Sequence, residues 1–355
     1  MAGGATNPNP AANPNAAPHP PAAIAVPGAR PPAGALHDYW DRPVSALATV
    51  CSAPTAAPDQ ERHRIYALLL MALVHYYWNG NKYGPLGDYA LRLNQLDGMH
   101  TPPDLYEGGE YLGHNIAALA VDGSGSIVDF DFNHNDLFNS SMEHAEARLL
   151  RRVYALAQLP GAAGGAIRAK LWQPPTYPML LKDYTVYTSL ESCAQCSGIM
   201  ALAQVKSVVY LQHDPGQNYI GNILHNFAQT LPNAKMLAPL PIAGAQFGFA
   251  YATDLDAAYA AFVDEMGRPG AYFFQSAGRV TRNDSITSFL CTDRAREIYK
   301  QARHDFEELT KDPARLAHGG YAPSGGLTNE EVLAAAAAFF GYATARGRRG
   351  TPHGS

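Results

Sequence analysis

The fold follows from one segment of the chain, residues 184–211, which reads YTVYTSLESCAQCSGIMALAQVKSVVYL. Its two ends, Tyr184–Tyr187 and Val208–Leu211, are short and mostly apolar, and they predict strands. Between them, Cys193–Gln204 is rich in small residues and predicts a helix. A strand, a helix and a second strand in this order indicate a parallel pair of strands with a right-handed crossover.

The residues before this segment supply the other elements of an α/β domain. Apolar side chains recur at helical spacing in Glu61–Trp78 and in His144–Gln158, so both are predicted helices. Asn115–Val121 and Ser126–Phe132 predict the two strands of a hairpin, because an Asp-Gly-Ser-Gly turn at 122–125 separates them. This order of elements predicts an α/β sandwich of two or three layers around a mixed sheet.

The remaining parts of the chain differ from this domain in composition. Residues 1–36 are rich in proline, alanine and asparagine and lack aromatic residues, which predicts a disordered tail. The main domain is expected at 37–235, and an extension of one strand and several helices is expected to pack on it at 236–345. The basic residues of 346–355 predict a loose tail. The elements predicted within the extension are a strand at Leu237–Ile242 and helices at Leu255–Met266, Asp293–Leu309 and Asn329–Tyr342.

Composition excludes several classes of protein. The chain has 355 residues and a formal net charge of −5, which argues against a generally basic nucleic-acid coat protein. Four cysteines are too few for a disulfide scaffold. The apolar run Ala67–Val74 ends at His75, short of the roughly 20 residues that a membrane span needs. No basic start and apolar stretch of a signal peptide opens the sequence. We therefore expect a cytoplasmic protein with no membrane association.

Three residues are candidate metal ligands. Cys193 and Cys196 are three positions apart, so they share one face at a helix N-terminus, where the helix dipole favours thiolates. His144 also opens a predicted helix, so two helix N-termini could converge on one metal. Zinc takes nitrogen and sulfur ligands, and a catalytic site supplies three of them and leaves one position for water. The sequence therefore predicts a Zn²⁺ site.

Glu146 is the candidate catalytic residue beside this site. A carboxylate next to a zinc ion can take a proton from water, whose pKa the zinc lowers to roughly 7, and pass it to a leaving amine. Taken singly, Cys-x-x-Cys can be half of a structural zinc site, and His144-x-Glu146 can be an ordinary polar helix start. No second Cys-x-x-Cys is present, and Cys51 and Cys291 lack ligand spacing, so the combination favours catalysis.

Together these motifs resemble the signature of a known superfamily. His144-x-Glu146 followed by Cys193-x-x-Cys196 is typical of zinc-dependent deaminases with a cytidine/deoxycytidylate-deaminase-like fold. The surrounding residues 186–200 look like the second motif of the branch that contains tRNA adenosine deaminase and guanine deaminase. The resemblance implies a three-layer α/β/α fold with a mixed sheet, a Zn²⁺ cofactor and hydrolytic release of ammonia from a cyclic amidine.

The resemblance also implies substrate contacts. Asn133, eleven positions before His144, matches an asparagine that binds the sugar or base in this branch. Asp214 matches an acidic residue that follows the next strand, and backbone groups of Ala145 are implied to hydrogen-bond the substrate. Asn133 and Asp214 also lie in turn-forming sequences, so a purely structural role is the alternative for both. Relatives are often dimers, so a homodimer is a further expectation.

The chain departs from the family pattern in two places. The family usually has proline before the first cysteine, and here Ser192 stands there; serine is a good N-cap, so the helix start is expected to survive. The interval between His144 and Cys193 is longer than in compact relatives. The extra length lies in 160–184, with Trp172, and is expected to remodel the pocket rim or a dimer contact without disturbing the zinc.

Charge favours a small substrate. Residues 101–240 carry eight Lys or Arg and twelve Asp or Glu, a formal charge of −4, whereas a domain that binds phosphates needs the opposite balance. The predicted substrate is a nucleobase, a nucleoside or a related amino-heterocycle. The alternatives are deamination of adenosine or cytidine in RNA or DNA, a catalytically weak zinc-binding module, and a secreted toxin domain. Retention of Glu146 argues against the module. The basic residues whose clustering would favour nucleic acid are Arg148, Arg151, Arg152, Arg168 and Lys170.

Overall fold

The computed structural model of the chain describes nine segments, which are residues 44–51, 56–78, 113–135, 138–157, 180–230, 238–268, 274–276, 279–281 and 284–345. Three regions named above lie outside the described residues: the tail at 1–36, most of the long interval at 158–179 with Trp172, and the basic tail at 346–355. The expectations for these regions, and the domain boundaries, therefore stay predictions.

A five-stranded mixed sheet forms the centre of the fold. Its strands are β1 (Ala117–Val121), β2 (Ile127–Phe132), β3 (Thr185–Thr188), β4 (Ser207–Tyr210) and β5 (Leu240–Ala243), arranged in the order β2-β1-β3-β4-β5. β1 runs antiparallel to β2 and β3, whereas β3, β4 and β5 are parallel. The parallel β3–β4 pair, with a helix between its strands, confirms the pairing predicted from residues 184–211.

The helices mostly follow the predicted pattern. Six match predicted helices to within five residues at each end, and two, α4 and α6, are elements that the sequence patterns do not predict. The shorter of these, α6, has only four residues, too few to show a helical period. The helices of the described residues are α1 (Ala57–Tyr76), α2 (Ala145–Ala157), α3 (Ala194–Leu202), α4 (Ile220–Thr230), α5 (Ala250–Gly267), α6 (Ile286–Phe289), α7 (Asp293–Lys311) and α8 (Asn329–Ala345).

Two neighbouring residues of β3 show how the layers are arranged. The ring of Tyr187 lies 5.0 Å from that of Tyr66 in α1. The next residue, Thr188, has its Oγ1 3.4 Å from Oε1 of Glu146 in α2. Successive side chains of a strand point to opposite faces of the sheet, so α1 and α2 cover opposite faces. The fold is the three-layer α/β/α sandwich that the sequence resemblance implies.

Helix α1 is the buried centre of its layer. Every residue from Ile65 to Val74 is buried, which marks a helix covered on all sides rather than an amphipathic surface helix. The sheet covers one side, and the C-terminal helices α7 and α8 pack against the others. Trp78 lies 5.6 Å from Tyr299 of α7, and the hydroxyl of Tyr77 donates to the carbonyl oxygen of Ala343 at 2.7 Å. The C-terminal helices therefore complete the hydrophobic core.

A short antiparallel pair, β6 (Phe274–Ser276) and β7 (Arg279–Thr281), forms a second sheet. Among the described residues, no helix combines the length and the apolar character that crossing a membrane requires.

Candidate metal centre and active site

The three predicted metal ligands come together in space. His144 immediately precedes α2, Cys193 is the N-cap residue of α3, and Cys196 lies in the first turn of α3. The Nδ1 atom of His144 lies 3.3 Å from Sγ of Cys193 and 3.7 Å from Sγ of Cys196. One ligand atom from each of the three residues lies within 4.8 Å of the others. One imidazole and two thiols at this spacing form a group that could hold a metal ion.

The pKa values of the two cysteines are shifted in opposite directions. The pKa of Cys193 is lowered to about 4, first because Cys196 donates a hydrogen bond to its sulfur and further because His144 does. The pKa of Cys196 is raised, because its proton is held between the two sulfurs and its side chain is buried. The hydrogen bond with Cys193 in turn raises the pKa of His144. These shifts favour the thiolate at Cys193, and the thiolate is the form of cysteine that binds metals.

Glu146 is buried beside these ligands. It is the second residue of α2, and its side chain is only 4% exposed. Oε2 lies 3.4 Å from Sγ of Cys196, and Oε1 accepts a hydrogen bond from the Ser192 hydroxyl at 2.9 Å. Burial raises the pKa of the Glu146 carboxyl. A carboxyl group in this position can bind and release a proton next to a metal without being one of the three grouped ligands.

A cavity of about 140 Å³ opens over the ligands, and we call it the metal-side cavity. Five of the predicted site residues line it: Asn133, His144, Glu146, Cys193 and Asp214. Cys196 is fully buried. Ala145 is also fully buried and is absent from the described wall of the cavity. The structure thus places two of the three predicted metal ligands, the carboxyl group and two of the three predicted substrate contacts around one space, with Cys196 buried behind them.

The two polar residues with a turn alternative make turn hydrogen bonds and also line the cavity. Oδ1 of Asn133 accepts a hydrogen bond from the backbone N–H of Asn135 at 3.1 Å, which is turn chemistry, while the residue also lines the metal-side cavity. Oδ1 of Asp214 accepts from the backbone N–H of Gly216 at 2.9 Å, and this residue lines the cavity as well. Each turn holds a polar side chain in place at the cavity wall.

Other wall residues were not singled out by the sequence. Glu191 accepts a hydrogen bond from Nδ1 of His213 at 2.5 Å and another from the backbone N–H of Asp214 at 3.2 Å. Glu191 lies in the segment at 184–211, between β3 and the two cysteines, and this position is the sequence signal by which it could have been found. Thr287, in α6, also lines the cavity, and no motif marks it. The remaining wall residues are His114, Ile116, Leu190 and Gln217.

The helix start survives with Ser192 in place of proline, as expected, but Ser192 is not its N-cap. Cys193 is the N-cap residue of α3, which begins at Ala194. The Ser192 hydroxyl donates instead to the Glu146 carboxylate, a charged acceptor that α2 brings within reach. The carbonyl oxygen of Ser192 accepts a separate hydrogen bond from the Ser197 hydroxyl at 3.3 Å.

Comparisons with known proteins give structural likenesses only. No model of a known protein family matches the chain, and no curated protein matches it. One similar solved structure comes from work on A-to-I editing by tRNA:A34 deaminases at the wobble position of transfer RNA; it is 20% identical, covers 37% of this chain and 82% of that one, and has a TM-score of 0.27. A second is guanine deaminase from Nitrosomonas europaea, at 16% identity, 58% and 90% coverage and a TM-score of 0.28.

Both similar structures come from work on deaminases. Their TM-scores lie below 0.5, so any conclusion about activity must come from the chemistry of the site itself.

Proposed function

We propose that the protein is a zinc-dependent hydrolytic deaminase of a nucleobase, a nucleoside or a related amino-heterocycle. One observation carries the proposal: a buried carboxyl group, Glu146, lies 3.4 Å from Cys196 in a three-ligand group that borders a cavity. A structural zinc site has no use for such a carboxyl group and closes its fourth position with a further protein ligand. Three ligands, a neighbouring acid–base group and an adjoining space for substrate are the arrangement of a catalytic site.

The donor set fits zinc. Tetrahedral zinc with Zn–S near 2.3 Å and Zn–N near 2.0 Å keeps its ligand atoms roughly 3.3–3.8 Å apart. The two distances from His144 to the sulfurs, 3.3 and 3.7 Å, fall in this range. His144, Cys193 and Cys196 would hold the ion. Bound there, zinc would supply the means to activate water as a nucleophile at neutral pH.

Glu146 would carry the protons of the reaction. Its carboxylate takes a proton from the attacking water and delivers it to a ring nitrogen of the substrate, and a second proton transfer releases the exocyclic amine as ammonia. The water oxygen becomes the carbonyl oxygen of the product, so the net reaction consumes one water per ammonia. The buried position of Glu146, which raises its pKa, suits a group that must both accept and return a proton near neutral pH.

The electrostatics of the cavity favour a small, uncharged substrate. Glu191 and Asp214 place two carboxyl groups in its wall, which disfavours a phosphate close by. The arginines that could have served a polynucleotide are engaged elsewhere. Arg148 and Arg151 bind the carboxylate of Glu143 at 2.7 and 2.8 Å, and Arg152 binds a carboxylate of β2 at 2.8 Å. The other two basic residues of that set lie outside the described residues.

The test is ammonia release from a panel of bases, nucleosides and short RNA and DNA by zinc-loaded protein. We expect release from one monomeric substrate, with little dependence on salt, and none in the Glu146→Ala variant. Release from polynucleotide alone, with affinity that falls steeply as salt rises, would instead support the nucleic-acid alternative. A protein that binds one zinc per chain and releases no ammonia from any substrate would contradict the proposal and favour the binding module.

The proposal retains two expectations from the sequence, a cytoplasmic location and a homodimer. Sedimentation of the zinc-loaded protein tests the second.

A further inference from the structure

We infer that Ser192 is a positioning residue that fixes the Glu146 carboxylate for proton transfer. The inference rests on the proposed function and adds a residue to it. The Ser192 hydroxyl donates to Oε1 of Glu146 at 2.9 Å, the shortest hydrogen bond that a side chain makes to this carboxylate within the described part of the chain. Both side chains are buried, at 4% exposure each, so water does not compete for the bond.

Two other side chains approach the carboxylate, and neither can replace Ser192. Thr188 Oγ1 lies 3.4 Å from Oε1, but its single hydrogen is directed to a nearer acceptor, the carbonyl oxygen of Leu190 at 3.0 Å. Cys196 donates to Oε2 at 3.4 Å only while it is a thiol, and as a metal ligand it becomes a thiolate with no proton to donate. When metal binds, Ser192 is the side-chain donor that Glu146 keeps among the described residues.

The geometry assigns different tasks to the two carboxylate oxygens. Oε1 is tied to Ser192 by the hydrogen bond at 2.9 Å. Oε2 lies on the side of the metal ligands, next to Cys196, and loses its donor when the thiolate forms. Fixing Oε1 therefore leaves Oε2 as the oxygen that exchanges protons. A carboxylate held at one oxygen samples fewer orientations, and this preorganisation favours proton transfer.

The experiment compares three variants in the zinc-loaded protein. Ser192→Ala removes the donor, Ser192→Thr restores a hydroxyl, and Ser197→Ala is the matched control, because it removes a nearby buried hydroxyl in α3 that donates to a backbone carbonyl and not to Glu146. We expect kcat of Ser192→Ala to fall roughly 10- to 100-fold with little change in KM, because a hydrogen bond to a charged group is lost. Ser192→Thr should recover most of the rate, and Ser197→Ala should stay close to wild type.

A second measurement does not depend on turnover. Glutamate labelled with carbon-13 at the side-chain carboxyl gives an NMR signal for Glu146, assigned by its loss in Glu146→Gln. We expect this signal to move in Ser192→Ala, to return in Ser192→Thr and to stay in place in Ser197→Ala, with one zinc bound per chain throughout.

Three outcomes would overturn the inference. An unmoved signal and wild-type kcat in Ser192→Ala would show that the bond does not matter. Equal losses in Ser192→Ala and Ser197→Ala, or loss of zinc in Ser192→Ala, would show a role in holding the loop. If the wild-type protein deaminates no substrate, the proposed function itself is rejected. This outcome can be told apart from the first two, because both of those require an active wild-type protein.

Discussion

A cavity lies at each end of the central sheet, and the two cavities differ in chemistry as well as in size. The metal-side cavity lies where β3 and β4 end, beyond Leu190 and before Asp214. The other, which we call the far cavity, is bordered by the first residues of β3, β4 and β5, Thr185, Ser207 and Leu240, and measures about 410 Å³ against about 140 Å³. The smaller cavity has the candidate chemistry, at the carboxyl ends of the parallel strands, where α/β sheets commonly bind ligands.

In the far cavity, two hydrogen bonds pair neutral polar groups of the wall with one another. The hydroxyl of Tyr66 donates to the carbonyl oxygen of Gly125 at 2.6 Å, and the hydroxyl groups of Thr185 and Ser207 bond at 2.9 Å. In the metal-side cavity, by contrast, a thiol pair, an imidazole and a carboxyl group converge within a few ångströms. A close group of possible metal ligands beside a buried carboxyl group, rather than volume, therefore locates the candidate active site.

His63 and Cys193 both have lowered pKa values, and the causes of the two shifts show the same contrast between the cavities. Burial lowers the pKa of His63 at the far cavity to about 4, which keeps its ring neutral. Hydrogen bonds, chiefly from Cys196, lower the pKa of Cys193 at the metal-side cavity to about 4, which makes its sulfur an anion. The direction is the same, but the first environment removes a charge and the second creates one. The sulfur of Cys193 also lies within 4.8 Å of two further possible ligand atoms, those of His144 and Cys196.

Removing the thiol group of Cys193 should have the largest effect of the changes that distinguish the two cavities. We expect Cys193→Ser to reduce bound zinc from about one per chain to near zero and to abolish ammonia release, because two remaining ligands do not hold the ion. Zinc content by atomic absorption checks this. The matched control is Cys51→Ser, since Cys51 donates to Asn226 at 3.3 Å, away from the metal ligands, and serine keeps that bond. Full zinc content in Cys193→Ser would contradict the assigned ligand set.

Glu146→Gln should separate metal binding from catalysis. The amide keeps the shape of the side chain but cannot carry the proton, so kcat should fall by roughly 10²- to 10⁴-fold while zinc content is unchanged. Steady-state ammonia release checks the rate. Glu308→Gln, at an exposed ion pair with Lys311 on α7, is the control and should behave as wild type. Comparable rates in the two variants would remove Glu146 from the mechanism.

His63 at the far cavity should affect the stability of the protein in acid rather than its activity. The pKa of His63 is lowered in the folded chain, so as pH falls below about 6.5 the unfolded chain binds a proton that the folded chain resists, and stability is lost until about pH 4. The loss attributable to His63 is at most about 3 kcal/mol. Urea unfolding at pH 7, 5 and 4 should show a shallower decline in His63→Gln. Parallel declines in the two proteins would mean that His63 is not a buried neutral ring.

The smallest effect is expected from Tyr187→Phe. The Tyr187 hydroxyl bonds to Nδ1 of His63 at 2.8 Å on the face of the sheet opposite Glu146. Losing this hydrogen bond should lower the free energy of unfolding by about 1–2 kcal/mol and leave kcat and zinc content unchanged. Thermal unfolding and ammonia release measure the two quantities. A large fall in kcat without loss of zinc would mean that the two ends of the sheet are coupled.

Local sequence signals predicted the elements that carry the metal ligands. The i, i+3 spacing of Cys193 and Cys196 and the helix start after His144 depend on near neighbours in the chain, and the structure brings the three residues together as expected. The same reasoning missed α6 and its Thr287, because a four-residue helix has no period and the contact joins the cavity to a distant part of the chain.

Two corrections show where local rules give way. Ser192 was expected to cap α3, yet its hydroxyl binds Glu146, because the sheet holds α2 beside the cysteine loop and offers a charged acceptor. The arginines of α2 were counted as a potential basic patch, yet Arg148 and Arg152 pair with buried carboxylates of β2. In both cases a partner far away in sequence changed the role of the side chain.

The sequence by itself therefore determined the α/β class, the order of its core elements and the candidate ligand set, since periodicity, turn chemistry and ligand spacing act over a few neighbouring residues. Only the tertiary structure decided which hydroxyl holds Glu146, which arginines are neutralised and which end of the sheet has convergent chemistry. These depend on how strands and helices pack, because a hydrogen bond or an ion pair forms only between groups that the fold brings to within about 3 Å.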